Sequence, residues 1–197
     1  ELEKTITQLT SLGFSTKKSS YTNLKNIENN LFNGFFNVEE WKRNSIYEYE
    51  DHCKKILSIL PDDASEYSYV EVAFQKKGKL GKAYDTNKVS LIDDILKEIT
   101  ESDKAKLILI EAPAGFGKTC TSYEILNKLA ASDSFPPPFF TEFSRDRQAK
   151  IFNHIFVSEV DRKFQFVRSH LVIEETQNGK IVLILDGFDE LLNESTL

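Results

Sequence analysis

The segment at 112–119 constrains the fold more than any other part of the chain. It reads Ala-Pro-Ala-Gly-Phe-Gly-Lys-Thr and follows a short apolar run at 107–110. After it, Tyr123, Leu126 and Leu129 recur at helical spacing. A glycine-rich turn between a buried strand and a helix is typical of a phosphate-binding loop. The pattern therefore predicts a strand, a phosphate loop and a helix in that order.

Most residues of this loop have a chemical reason to be there. Gly115 and Gly117 tolerate positive φ, so the loop amides can point at an anion, and the following helix adds the positive end of its dipole. Lys118 is expected to reach the β- and γ-phosphates, and the Thr119 hydroxyl to ligate Mg²⁺. Ala112 replaces the first glycine of the strict motif, where another small residue is tolerated. The predicted nucleotide-binding residues are Pro113, Ala114, Gly115, Phe116, Gly117, Lys118, Thr119 and Cys120.

A second motif lies at the end of the apolar run at 181–185. Asp186 follows that run directly, and Asp189 and Glu190 come shortly after. The run predicts a buried strand, and parallel α/β sheets hold ligands at the carboxyl ends of their strands. Asp186 is therefore predicted to bind Mg²⁺ together with Thr119, and Asp189 or Glu190 to polarise the attacking water. The two motifs indicate a protein that binds a nucleoside triphosphate, ATP or GTP, and has groups able to hydrolyse it.

The two motifs together resemble the NACHT branch of the STAND signal-transducing NTPases. The resemblance rests on the loop at 112–119 and on Leu-Asp-Gly-Phe-Asp-Glu-Leu at 185–191, in which the small Gly187 follows the strand-end carboxylate. The stretch at 140–155 is also similar to segments of bacterial NACHT proteins. The resemblance covers roughly residues 68–195.

That resemblance implies a molecular switch that favours ATP and hydrolyses it slowly. Its nucleotide state is expected to control self-association into an oligomer, as in antiviral defence and immune-like signalling. The trigger ligand is expected to be sensed by repeats beyond Leu197. The resemblance also implies the fold, an α/β three-layer P-loop NTPase with a parallel sheet.

The order of patterns predicts how the chain is organised. Alternating strands and helices indicate the parallel sheet, incomplete here, preceded by a small and mainly helical N-terminal region. The predicted divisions are a helical module or connector at 1–66, a strand with a Lys/Gly-rich loop and a linker helix at 67–104, and the N-terminal half of the NTPase domain at 105–197. The chain contains no Met and stops just after the acidic motif, so we expect a longer protein, or Met residues lost from the sequence.

Local patterns predict the individual elements. Ser90 is expected to cap a helix, with Asp93 three residues later. An Asn-Gly pair at 33–34 indicates a turn. Predicted helices lie at 2–12, 21–32, 38–60, from 90 onward and at 148–174; predicted strands lie at 67–74, 107–110, 139–143 and 181–185, with a loop at 77–87.

Composition limits the classes of partner. No apolar stretch is as long as a membrane span, and Cys53 and Cys120 are the only cysteines, so a reduced, cytoplasmic protein is expected. The net charge of −6 makes nucleic acid an unlikely partner for the whole surface. A local lysine cluster is the exception; it reads as a solvated loop or as a site for a polyanion, and consists of Lys76, Lys77, Lys79, Lys82 and Lys88.

Two other functions fit parts of the sequence. A scaffold could hold the nucleotide without turning it over. A nuclease is hinted at by Pro-Asp-Asp at 61–63 and Gln-Lys-Lys at 75–77, which faintly resemble the metal site of restriction-like nucleases. The alternative is that these residues have only a structural role, as a turn that ends a helix and as a basic loop.

Overall fold

The structure, a computed structural model, describes residues 2–12, 24–61, 66–71, 73–77, 83–85, 90–101, 106–143, 152–164 and 167–187. The chain divides into two compact units, Glu1–Phe35 and Phe36–Leu197. The first contains helix α1 (Leu2–Ser11) and nearly all of α2 (Leu24–Phe36). The predicted domain boundaries after residues 66 and 104 stay predictions.

The second unit combines five helices with two small sheets among the described residues. Its helices are α3 (Val38–Ser58), α4 (Leu91–Thr100), α5 (Lys118–Ala130), α6 (Phe152–Lys163) and α7 (Ser169–Gln177). Its strands are β1 (Gln75–Lys77), β2 (Ala83–Asp85), β3 (Pro138–Glu142) and β4 (Val182–Asp186). β1 and β2 form an antiparallel pair, and β3 and β4 a parallel one.

The parallel pair forms the centre of the second unit. Phe140 of β3 is in register with Ile184 of β4, and Glu142 with Asp186. Both strands therefore end at the same level, and α5 packs against them. This is a small parallel sheet among helices, consistent with an incomplete α/β fold.

The two faces of β3 bury different partners because successive side chains of a strand point in opposite directions. Phe140 lies against Tyr123 of α5, with ring centroids 4.6 Å apart. Phe139, fully buried, contacts the rings of Trp41, Phe156 and Phe164 on its own side. The strand thus joins α3, α5 and α6 into one core.

α3 is fixed to the β3 side of the core by a buried lysine as well as by Trp41. The ammonium of Lys42 donates to the carbonyl oxygens of Ser132 at 2.6 Å and Phe135 at 3.1 Å. Because only 8% of Lys42 is exposed, these bonds offset much of the cost of taking its charge out of water. α3 is also joined to α6, because Glu48 of α3 accepts hydrogen bonds from the ammonium of Lys163.

Several predicted elements are confirmed. The helix after the 112–119 loop begins at Lys118, and the strands predicted at 139–143 and 181–185 appear one residue displaced, as β3 and β4. The helix predicted from residue 90 is α4, and the Ser90 hydroxyl accepts from the Asp93 amide at its N-terminus. The three helices predicted in the N-terminal region are also present.

The strand predicted at 107–110 is wrong. Its backbone pairs with no strand of the described residues, and Leu107 and Leu109 are 93% and 79% exposed. Ile110 alone packs against the core formed by α4 and α5. An apolar, β-branched run has the propensity for a strand, but a strand also requires a neighbour to hydrogen-bond.

The strand predicted at 67–74 and the loop predicted at 77–87 also differ from the structure, because the hydrogen-bonded strands lie at other positions. Tyr67 and Tyr69 face inward and Ser68 and Val70 outward, as the alternation predicted, yet residues 66–71 form no ladder. The ladder begins instead at β1, and the predicted basic loop contains the hairpin partner β2.

Two predicted boundaries move as well. α2 continues through Gly34 and ends before Asn37, which takes the left-handed φ of 47° that asparagine tolerates. The helix predicted at 148–174 is not continuous, because α6 ends at Lys163 and α7 begins at Ser169 after an extended Arg168. Phe164, the residue that follows α6, packs its ring against Trp41, with centroids 4.8 Å apart.

Candidate functional site

The 112–119 loop has the backbone shape that its glycines predict. Gly115 and Gly117 have φ of 81° and 77°, and the Phe116 amide donates to the Pro113 carbonyl. No side chain caps α5, whose N-terminal residue is preceded by Gly117. The first amides of this helix therefore have no side-chain partner of their own and lie beside the loop. An L side chain at either glycine would strain the backbone.

Lys118 lies folded back over the loop. Its ammonium donates to the carbonyl oxygens of Ala112 at 2.8 Å and Pro113 at 3.4 Å. Phe116 is 57% exposed at the tip of the same loop. A half-buried ammonium is therefore held at the rim by two neutral acceptors, which an anion can replace.

α5 and β4 are joined by a carboxylate between two hydroxyls. Thr119 donates to Oδ2 of Asp186 at 2.8 Å, and Ser122 donates to Oδ1 at 3.2 Å. Asp186 is 8% exposed, so both oxygens need such partners. The structure thus brings together the two predicted metal ligands, Thr119 and Asp186, although they are 67 positions apart.

Ser122 is a site residue that the sequence reading missed. Its signal was its spacing, since a residue three positions after Thr119 lies on the same face of a helix. Glu142 is a second one. It ends β3 in register with Asp186, which places another carboxylate at the carboxyl edge of the parallel pair.

His52 of α3 lies within the electrostatic reach of this edge. Its ring stacks on Tyr123 at 3.8 Å, with 9° between the planes. Burial lowers the pKa of His52, and the negative charges of Glu142, Asp186 and Glu124 oppose that shift. The imidazole is therefore held in its neutral form by burial.

The two thiols are poorly suited to reaction. Cys120, predicted to bind nucleotide, is half-buried in the first turn of α5, and burial raises the pKa of its thiol. Burial likewise raises the pKa of Cys53 on α3. A thiol with a raised pKa carries little thiolate at neutral pH, so neither is an activated nucleophile.

Other predicted residues fall elsewhere. Asp189 and Glu190 lie outside the described residues, as do Asp62 and the stretch at 144–148. Lys76 of the lysine cluster is paired with Asp94 and Glu98 of α4 at 3.1 and 2.7 Å, so it is already neutralised. The remaining members of that cluster are not described beyond the backbone of Lys77 in β1.

The oxygens of Thr119 and Asp186 fit a hard cation such as Mg²⁺. Within the described ranges, no three His, Cys, Asp or Glu side chains converge on a point where an ion could sit. Mg²⁺ in nucleotide sites does not need such a cage, because it keeps waters and binds one or two protein oxygens together with phosphates. A hydroxyl and a carboxylate beside an anion-accepting loop are a donor set of that kind.

Comparison with known proteins identifies a family relationship in the N-terminal part of the chain. Residues 1–77 match the family model of NACHT-associated inactive Restriction Endonuclease 2. The match covers fewer than half of the 197 residues and ends before the 112–119 loop. No curated protein and no solved structure matches the chain. The match indicates a NACHT-linked protein, and it agrees with the resemblance to NACHT proteins at that level, without extending to an NTPase domain.

No helix in the described part of the chain is both long enough and apolar enough to cross a membrane.

The lowered pKa of His52 predicts a pH-dependent stability. As pH falls, the unfolded chain takes up this proton at about pH 6.5, before the folded protein does, so the free energy of unfolding decreases below that pH. We expect the thermal midpoint to fall less between about pH 7 and pH 5 in His52→Phe, which keeps the stacked ring, than in the wild type. Exposed His170, changed to Gln, is the matched control. Equal slopes in wild type and His52→Phe would refute the assignment.

Proposed function

We propose that the chain binds a nucleoside triphosphate with Mg²⁺ at the 112–119 loop and the edge of β4, as the switch of a NACHT-type signalling protein. The observation that carries this proposal is the contact of Thr119 with Asp186 at 2.8 Å beside the glycine loop. A glycine-rich turn alone could be structural. A turn whose following hydroxyl meets a strand-end carboxylate has the groups that phosphate and metal both require.

The chain's own residues divide the work of binding. The amides of 115–119 are the donors for phosphate oxygens, and Lys118 exchanges its two carbonyl acceptors for phosphate. Thr119 and Asp186 hold the metal, which when bound neutralises charge on the phosphates. Ser122 keeps the Asp186 carboxylate oriented. The 112–119 loop and the end of β4 recognise only phosphates and metal, so they do not distinguish the adenine base from guanine. ATP is therefore favoured over GTP by the NACHT relationship alone.

Hydrolysis is assigned to the carboxylates that follow Gly187. Gly187 has φ of 73°, so the chain turns sharply as it leaves β4. Asp189 or Glu190 then acts as the general base toward water. Nucleotide state controls self-association because the triphosphate form favours one arrangement of the protein over another. The match of residues 1–77 to a NACHT-associated family supports this role in defence signalling.

The first test is the affinity for nucleotide. Replacing Lys118 by Ala removes a charged donor worth about 1.5–3 kcal/mol, so the Kd for fluorescent ATP with Mg²⁺ should rise about tenfold or more. Lys128→Ala changes an exposed lysine in the last turn of the same helix and should leave the Kd unchanged. Unchanged affinity in Lys118→Ala would show that the site is elsewhere.

The second test separates a slow ATPase from a scaffold that only holds nucleotide. Asp189→Ala or Glu190→Ala should lower kcat about a hundredfold while the Kd for ATP stays the same, because a general base acts on the water and not on binding. Glu194→Ala provides a nearby carboxylate as control. Absence of phosphate release from assembled wild-type protein would favour the scaffold.

The N-terminal match raises a second candidate, a nuclease, but the matched family is itself described as inactive. At the position where the nuclease pattern has a carboxylate or an amide, followed two residues later by a lysine, the chain has the neutral amide Gln75 and Lys77. An amide binds Mg²⁺ more weakly than a carboxylate does. We therefore assign residues 1–77 a nuclease-like but non-cleaving role.

That assignment predicts no cleavage of plasmid or linear DNA with Mg²⁺ or Mn²⁺, measured on gels over hours. The assay needs a purified Asp62→Ala variant as its control, because a contaminating nuclease would cleave the DNA equally in both protein preparations. Cleavage by the wild type that disappears in Asp62→Ala would reverse the assignment.

A further inference from the structure

Besides the face that contacts Asp186, α5 has a second polar face, which is turned toward α3 and residues 66–71. Thr119 and Ser122, three residues apart, contact Asp186. Thr121 and Glu124, also three residues apart, contact tyrosines instead. They are 6% and 7% exposed, so their polar atoms are cut off from water. The helix is therefore held by buried hydrogen bonds on two sides.

The second set of bonds comes from two tyrosines. The Tyr69 hydroxyl lies 3.0 Å from Oγ1 of Thr121, two residues after the predicted metal ligand Thr119. The Tyr49 hydroxyl of α3 donates to Oε1 of Glu124 at 2.9 Å. Burying the Glu124 carboxylate without this donor would be costly, so the bond fixes where α5 lies relative to α3.

Aromatic packing makes the same connection rigid. His52, one turn after Tyr49 on α3, stacks on Tyr123, between Thr121 and Glu124. Tyr67 meets Tyr49 edge to face, with centroids 6.4 Å apart. Burial and the neighbouring Glu124 raise the pKa of Tyr49, so its hydroxyl remains a donor throughout the physiological range.

The three residues that contact this face of α5 belong to the stretch matched by the nuclease-like family model. They are Tyr49, His52 and Tyr69, and Tyr67, which packs on Tyr49, lies in the same stretch at 1–77. A segment that has lost cleavage chemistry thus supplies buried contacts to the helix that begins at Lys118. A functional group is positioned only as well as the residues that support it.

We propose that Tyr49 and Tyr69 are positioning residues for the nucleotide site, and that the nuclease-like segment acts by holding α5 in place. This inference rests on the proposed function. The tyrosines set the position of the α5 amides and of Thr119 relative to Asp186. A movement of α3 or of residues 66–71 therefore changes nucleotide affinity, and nucleotide binding in turn resists that movement.

The test is the double variant Tyr49→Phe/Tyr69→Phe, which removes both hydroxyls and keeps both rings. In the intact protein we expect the Kd for fluorescent ATP with Mg²⁺ to rise about fivefold, since α5 then loses two of the buried hydrogen bonds that hold it in place. Tyr47→Phe, at a 57% exposed position of the same helix, is the control for the chemical change. Val172→Ala is the control for lost stability, because it opens a cavity at a fully buried position of α7, outside the elements to which the tyrosines belong.

Weaker binding in the double variant, with an unchanged Kd in Val172→Ala despite a lowered thermal midpoint, supports the proposal. Equal affinity in wild type and double variant, while Lys118→Ala has lost binding, overturns it and leaves the proposed function intact. If the wild type binds no nucleotide, the proposed function fails, and amide hydrogen exchange decides about the tyrosines. Faster exchange at 118–125 in the double variant than in Val172→Ala supports their anchoring role, and equal exchange refutes it.

Discussion

The contact between Asp186 and the two hydroxyls of α5 is the interaction on which the rest of this site depends. It ties the end of β4 to the first two turns of the helix through both carboxylate oxygens, at 2.8 and 3.2 Å. Because Asp186 is almost completely buried, its carboxylate needs such donors to be stable there. The 112–119 loop leads directly into α5, so the contact also limits where its amides can point.

Around that contact, the acidic groups lie at the ends of the parallel strands and the lysine lies at the loop. Carboxylates lie at the ends of both parallel strands, at Glu142 and Asp186, while Lys118 reaches back over the loop. Farther out, Lys42 donates to backbone carbonyl oxygens and Lys163 is paired with Glu48, so these two lysines stabilise α3 and α6 instead of serving the site. Burial lowers the pKa of Lys163, and Glu48 opposes that shift.

The sequence predicted the local elements of the site better than the connections between them. The glycine positions, the start of α5 and the carboxylate at the end of β4 follow from motifs a few residues long. Ser122 and the tyrosine contacts could not be predicted in this way, because they depend on which side of α5 faces α3 and residues 66–71. The strand at 107–110 failed for a related reason: propensity is local, whereas strand pairing requires a neighbour. The turn predicted at the Asn-Gly pair 33–34 lies instead at Asn37, because α2 continues through that pair.

The proposed site can be tested by a crystal structure with Mg²⁺ and a non-hydrolysable ATP analogue. We expect phosphates against the amides of 115–119, Lys118 moved from the Ala112 carbonyl onto a phosphate oxygen, and the metal bonded to Thr119. A nucleotide bound elsewhere, with Lys118 still on the Ala112 carbonyl and Thr119 still on Asp186 alone, would contradict it.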